Sequence, residues 1–284
     1  MPTPGGSSLS RIVPIGLVLI LALGPNAGAV NAEMSTTFQQ MGNLGLEVAG
    51  ARGGNTLITG GTFTLNDLPA GATVLKATLY ASQVDNPNGQ DAEFAGVDLG
   101  SAGPYASDAG SQTYYTYAWD VTGLVVPGAN SYSFVIGGHP NGGLVAGVAL
   151  VVVWHDWSEP TRVVTINDGM VQLGPSGSDF EDTLFTNLGD GETDVWLFTV
   201  LDDKASSGET VSYNGTVIGG PIDQNLGPLA SLLKLATNSV GGTNALRVTT
   251  QFDTMGWIIA ATAVSAPPVP VTTTTWQHVK ELYR

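Results

Sequence analysis

Short apolar or alternating runs, each closed by a cluster of Gly, Asn, Asp or Pro, recur along this chain roughly every 8 to 15 residues. Helical periodicity is almost absent. The spacing predicts strands over 55–65, 72–82, 114–121, 131–137 and 145–154 in the first half. In the second half it predicts them over 162–166, 194–201, 209–219, 244–252 and 256–264. Asn214-Gly215 is the strongest hairpin signal, because both residues tolerate the positive φ of a type I′ turn; with Thr216 it is also formally a glycosylation sequon. Asp168-Gly169, between "RVVTI" and "MVQL", predicts a second hairpin turn. The one segment with a helical reading is 229–236, "LASLLKLA", which also suits a strand.

The two halves echo one another. "AEFAGVDLG" (92–100) matches "VSYNGTVIGG" (211–220) in pattern, "GANSYSFVIG" (128–137) resembles "GTNALRVTTQ" (242–251), and "AGVALVVVW" (146–154) resembles "GWIIAATAV" (256–264). The echoes keep their order, which points to duplication of one unit with a junction near Ser158–Pro160. The expected fold is all-β: two tandem, duplicated antiparallel β-sandwich or jelly-roll-like units over 33–158 and 159–265.

Both ends differ from this body. Arg11 is the only charge in the first 32 residues, and Ile12–Leu23 is an apolar run with Pro14 and Gly16 inside it. That is the pattern of a secretory leader cleaved after Ala32, with no membrane span expected in the mature chain. At the other end "APPVPV" and "TTTT" (266–275) read as an extended linker. The last nine residues, "WQHVKELYR", predict a tail with Trp276, Val279 and Tyr283 on one side and Lys280 and Arg284 as its charges.

Composition narrows the function classes. The chain has 9 Lys and Arg against 24 Asp and Glu, a net charge of −15. Nucleic acid and anionic membrane surfaces are poor partners for such a protein. There is no cysteine, which excludes disulfides, thiol catalysis and cysteine-ligated metals.

Candidate chemistry is sparse. In "VVVWHDW" (151–157), successive strand side chains face opposite ways, so His155 and Asp156 cannot act as a base and its orienter. They read as the wet end of a buried strand. His139, His155 and His278 are too scattered for a zinc site, and "GPSGS" (174–178) lacks the spacing of a serine nucleophile elbow. Two oxygen-rich loops remain. Asp85, Asn88 and Asp91 in "DNPNGQD", and Asp190, Glu192 and Asp194 in "GDGETD", are calcium candidates by ligand type, although neither keeps an EF-hand spacing and both also suit Asx turns at hairpin tips. Asp179, Glu181, Asp182, Asp202 and Asp203 are further carboxylates. A glycosidase would need two of these to converge in a cleft. Trp154, Trp157 and Trp196 are the aromatics for a sugar platform, but burial in a core is the commoner fate of a strand Trp.

Three stretches in order, "DLPAGATVLKATLYAS" (67–82), "AWDVTGLVVPGANSYSF" (118–134) and "GVALVVVWHDWSEPTRVVTINDGM" (147–170), resemble domain-of-unknown-function family 3344. The resemblance covers roughly residues 45–264 and implies an exported, β-rich surface module with no assigned reaction. "WHDW" stands where relatives more often carry a Tyr-Glu type pair. The tail is similar to short C-terminal sorting-type tails. The combined expectation is a secreted or cell-surface, non-enzymatic structural or adhesion protein without a required cofactor. It would work by protein–protein contact, including self-assembly, with the tail as docking element. The alternatives are a carbohydrate- or protein-binding module, with or without calcium, and a glycoside hydrolase.

Overall fold

The computed structural model describes residues 33–265, except 55–57, 85–88, 110–112, 138–143, 175–178, 201–207, 223–224, 227–228 and 251–253. The leader, the linker and the C-terminal tail lie outside the described residues.

The chain forms seventeen strands among the described residues. In the first half these are β1 (Ser35–Gly54), β2 (Ile58–Thr64), β3 (Thr73–Val84), β4 (Gln90–Phe94), β5 (Val97–Ala102), β6 (Ala106–Ala109), β7 (Thr113–Asp120), β8 (Ser131–Gly137) and β9 (Leu144–His155). The second half contains β10 (Thr161–Leu173), β11 (Phe180–Leu188), β12 (Gly191–Val200), β13 (Thr210–Tyr213), β14 (Thr216–Gly219), β15 (Ala230–Ser239), β16 (Gly242–Thr249) and β17 (Met255–Ser265).

Nine strands make one sheet in the order β15-β12-β17-β10-β1-β9-β3-β7-β6, and two four-stranded sheets, β2-β8-β4-β5 and β11-β16-β13-β14, complete the fold. Replacing β1, β9, β3 and β7 by β10, β17, β12 and β15 turns one half of the large sheet into the other. The same correspondence maps β2-β8-β4-β5 onto β11-β16-β13-β14, with β6 left without a counterpart among the described strands. The sequence echoes fall on these equivalent strands: β4–β5 on β13–β14, β8 on β16, β9 on β17. The two hairpins even share their turn, with φ of 51° and 77° at Ala95 and Gly96 and 50° and 77° at Asn214 and Gly215.

Each small sheet covers one half of the large one. Phe63, Phe94, Phe134 and Ile136 pack on Leu79, Leu150, Val152 and Trp154 in the first half. Phe185, Val211, Leu246 and Val248 pack on Val195, Leu197 and Trp257 in the second. The opposite face of the large sheet is also dry. There Leu44, Leu46, Val48, Val151 and Val153 of the first half share a cluster with Val164, Trp196, Phe198, Ile258 and Ala261 of the second. The two halves therefore pack on each other, and the molecule is a stack of four β layers. Strands apolar on both faces, such as β9 with Val148 to Trp154 buried, are what a sheet covered on both sides requires.

β1 is the corner of this stack. Its residues Ser35–Asn43 pair with β10, and its residues Leu44–Gly54 pair with β9. A strand that passes from one sheet to the next in this way joins layers that cannot be joined by a hairpin.

One expectation is decided and another corrected. Of the two readings of 229–236 the helical one is set aside and the strand one holds: residues 230–236 lie in β15, whose ten residues pair without a break against β12. An edge strand half-covered on each face needs no clean period-2 pattern, so "LASLLKLA" could not declare itself. Asp168-Gly169 is not a turn. β10 runs through it, with a bulge between Asp168 and Val171. Gly169 is required for a different reason: a Cβ there would fall 2.5 Å from the Glu33 carbonyl oxygen.

Candidate functional site

The corner where β9 leaves the large sheet and β10 enters it gathers the side chains with most chemical capacity. β9 ends at His155. The His155 ring is half-buried and meets Trp157 edge-on, with centroids 4.8 Å apart. Asp156 does not serve the imidazole; its Oδ1 accepts from the Ser158 amide at 2.8 Å and the Ser158 hydroxyl at 2.6 Å. Those bonds hold its carboxyl below the usual range. It is an Asx turn. Trp157 between them is 84% exposed.

Beneath this turn lies a polar tie. The Trp154 indole N–H donates to Glu159 Oε1 at 3.3 Å, and Arg162 reaches Glu159 Oε2 and the Leu44 carbonyl, each at 3.4 Å. Asn43 donates to the Glu159 carbonyl at 2.7 Å. Arg162 also opens into a concavity of about 490 Å³ bounded by Glu192, Asp194, Thr237, Asn238 and Ser265. Glu192 and Asp194 stand two residues apart on β12 and so project from the same face. Asp194 is 3.8 Å from Lys234, whose ammonium lies 4.9 Å from the Trp196 ring centroid. Asp190 spends Oδ1 on the Gly241 amide at 2.7 Å.

Of the calcium candidates, Asp85 and Asn88 lie outside the described residues, as do Asp202 and Asp203. Asp91 sits on β4 of a small sheet, in the other half from Asp190, Glu192 and Asp194, so the two loops are not brought together. Among the described residues no three His, Asp or Glu side chains form a group able to hold a metal. Asp182 is committed to Arg247 by two bonds of 2.8 and 2.6 Å, which lower its pKa. Asp179 lends its carbonyl to the Thr250 amide at 2.8 Å. Trp154 and Trp196 are buried and Trp157 alone of the three is exposed. His139, His278 and the tail residues Trp276, Val279, Lys280, Tyr283 and Arg284 lie outside the described residues.

One heavily bonded carboxylate, Asp168, was not legible as such. Asp168 on β10 is 3% exposed. It accepts from the hydroxyls of Tyr80 on β3, Tyr105 just before β6 at 2.7 Å, and Thr37 on β1 at 2.8 Å. Burial pushes its pKa up against the pull of those donors. Next to it Asn167 accepts from Thr36 at 2.7 Å and donates to Thr183 at 2.8 Å and the Leu184 carbonyl at 3.0 Å. This pair binds β1, β3 and the β6 approach of the first half to β10 and β11 of the second. Glu47 is a lesser version: its buried carboxylate accepts from the amides of Asn66 at 2.9 Å and Asp67 at 3.1 Å. Its pKa is raised by burial. The available signal for both was a polar residue inside an otherwise apolar run, which also reads as a strand end.

Comparison with known proteins adds one firm result. The family described as "Protein of unknown function (DUF3344)" matches residues 27–253. No curated protein matches the chain. Among solved structures it is similar to a β-porphyranase of glycoside hydrolase family 86 from the human gut bacterium Bacteroides plebeius, at 15% identity and a TM-score of 0.29. That match covers 73% of this chain and 35% of the porphyranase, so the chain spans about a third of the enzyme's length. It is also similar to the conserved protein of unknown function PA5104 from Pseudomonas aeruginosa PAO1. There the identity is 13%, the TM-score 0.33, and the cover 78% of this chain and 100% of the other. Similarities of this size carry no argument about function.

Proposed function

The chain belongs to the DUF3344 family of proteins of unknown function, and from that premise we propose that it is an exported, non-enzymatic structural component of a cell surface or extracellular layer, acting through protein–protein contacts. The observation that carries this reading is how the polar side chains are used. Asp168, Asn167, Glu47, Glu159 and Asp182 each spend their side-chain oxygens on holding strands or turns together. A molecule built this way is a rigid four-layer body whose surfaces and ends are what it has to offer. The apolar leader and the acidic composition suit export and solubility, and the tail at 276–284 is the docking element. Light scattering and electron microscopy of the secreted protein test the proposal. Defined oligomers or filaments that change when 276–284 are deleted support it; a monomer whose surface retention is indifferent to the deletion overturns it.

One observation favours a second reading. The concavity bounded by Arg162, Glu192, Asp194 and Asn238 mixes donors and acceptors, and Trp157 is exposed in the turn that leads to Arg162. Neutral sugars are recognised by such combinations of bidentate polar groups with an aromatic face. Retention on a neutral polysaccharide that is lost in Trp157→Ala and Asp194→Asn would favour a carbohydrate-binding module, and a rise in melting temperature with calcium would make it a calcium-assisted one.

A further inference from the structure

β15 ends the large sheet, and among the described residues only part of its free edge is closed. The Leu226 amide donates to the Ala230 carbonyl at 3.3 Å. The Asn225 side chain then copies a strand partner at Leu232: its Oδ1 accepts from the Leu232 amide at 2.9 Å and its Nδ2 donates to the Leu232 carbonyl at 2.6 Å. These bonds establish that the even-numbered residues of β15 point their backbone groups away from β12. In a regular antiparallel strand N–H and C=O alternate sides together, and the β12–β15 register has no shift from Ala230 to Ser239. Lys234, Ala236 and Asn238 therefore direct amides and carbonyls outward, past the point where the Asn225 cover stops. Their side chains are exposed.

The other long edges are less suited to pairing. On β11 the Leu184 and Thr186 carbonyls are already taken by Asn167 at 3.0 Å and Gln39 at 2.7 Å, and the strand carries Glu181 and Asp182. β2 is interrupted by Gly60-Gly61, which weaken a strand. β15 has no carboxylate at all; its one charge is Lys234. In a chain of net charge −15, two copies meet at lower electrostatic cost on an edge strand without acid; the nearest carboxylates, Glu192 and Asp194, are set back one strand on β12, opposite Asn238 and Ala236. Lysine at an edge commonly guards it against pairing, but Lys234 is drawn back onto its own sheet by Asp194 and Trp196.

We propose that the β15 edge between Lys234 and Asn238 pairs antiparallel with the same edge of a second copy, continuing the nine-stranded sheet across a two-fold axis at Ala236. In that register Lys234 of each copy faces Asn238 of the other, so no like charges are opposed. Main-chain pairing at a sheet edge is an established mode of association. The proposal rests on the reading of this chain as a self-associating surface component, and it names the surface.

Sedimentation velocity of the exported protein over a concentration series, with residue-resolved hydrogen exchange, is the test. The expected result is a concentration-dependent dimer in which exchange at the Lys234, Ala236 and Asn238 amides slows at least tenfold as concentration rises. Ala236→Pro removes one outward amide while leaving the β12 ladder intact, and Ala236→Lys sets two ammonium groups together at the axis while lying beside Asp194, its register partner on β12, within each copy. Each should yield monomers with unchanged circular dichroism and with the melting temperature of wild type measured at concentrations where wild type is itself monomeric. Deletion of 276–284 should leave the dimer in place, which separates this contact from any made by the tail. A wild type that stays monomeric, a dimer that survives both substitutions, or a dimer lost with the tail while these amides exchange freely would each overturn the proposal.

Discussion

Gly45 lies under the Trp154 indole, where a Cβ would sit 2.1 Å from the ring. Neither partner can move: Trp154 is 1% exposed and tethered through its N–H to Glu159. Gly45→Ala is therefore expected to destabilise the protein by about 1–3 kcal/mol, the usual cost of overpacking a filled core, read as a lowered midpoint in urea denaturation. Glu47→Ala removes the acceptor from two loop amides and should cost about 1–3 kcal/mol. Glu47→Gln, which keeps an acceptor oxygen, should cost less in the same measurement. Trp157→Ala, by contrast, should leave the midpoint within about 0.5 kcal/mol, as expected for an exposed side chain outside the core.

At the scale of the element, β10 carries a pH-dependent contribution to stability through Asp168. Burial raises the Asp168 pKa in the folded chain above its ordinary value of 3.8. The folded state thus binds this proton more tightly than the unfolded one. The associated stabilisation is complete below about pH 4 and is lost as the pH rises through the folded pKa. Asp168→Asn cannot titrate. The melting temperature of wild type minus that of Asp168→Asn should therefore fall as pH is raised from 4 to 8; a difference independent of pH would mean that Asp168 does not titrate in this window. Asp182 works in the opposite direction, since its folded pKa is lowered by Arg247. Its contribution is present above the unfolded pKa and lost toward acid, but the pair is partly exposed and weakly stabilising.

At the scale of the whole molecule, β1 makes the two halves interdependent. Its first part completes the sheet of the second half and its second part completes that of the first, while the shared cluster between the layers draws on both. Each half keeps the core under its own small sheet, but separation would expose the dry face of the large sheet that the halves cover for each other, and would strip 159–265 of its β1 partner. A single cooperative unfolding transition is expected by calorimetry, and separately expressed 33–158 and 159–265 should be unfolded or aggregated. Two resolved transitions would show the halves to be independent.

The strands were legible wherever local pattern and turn chemistry agree. β8 over 131–137 coincides with its expected span, and Asn214-Gly215 forms the hairpin its φ preferences require. The same recurring pattern foretold the all-β class and the order of the three echoes, because alternation, turn residues and duplication are written into neighbouring positions. What neighbours cannot encode was decided by the tertiary structure. β15 could pass for a helix because its apolar residues are divided between two half-covered faces. Asp168-Gly169 carries a turn's composition, yet it is held inside a strand by Tyr80, Tyr105 and Thr37, which are remote in sequence. β1 was missed, and with it the corner that makes two sandwiches into one four-layer body. Periodicity reports what each residue prefers over a few positions; which strand lies across it, and whether a polar group in an apolar run marks an end or a joint, is settled by contacts more than a hundred residues away along the chain.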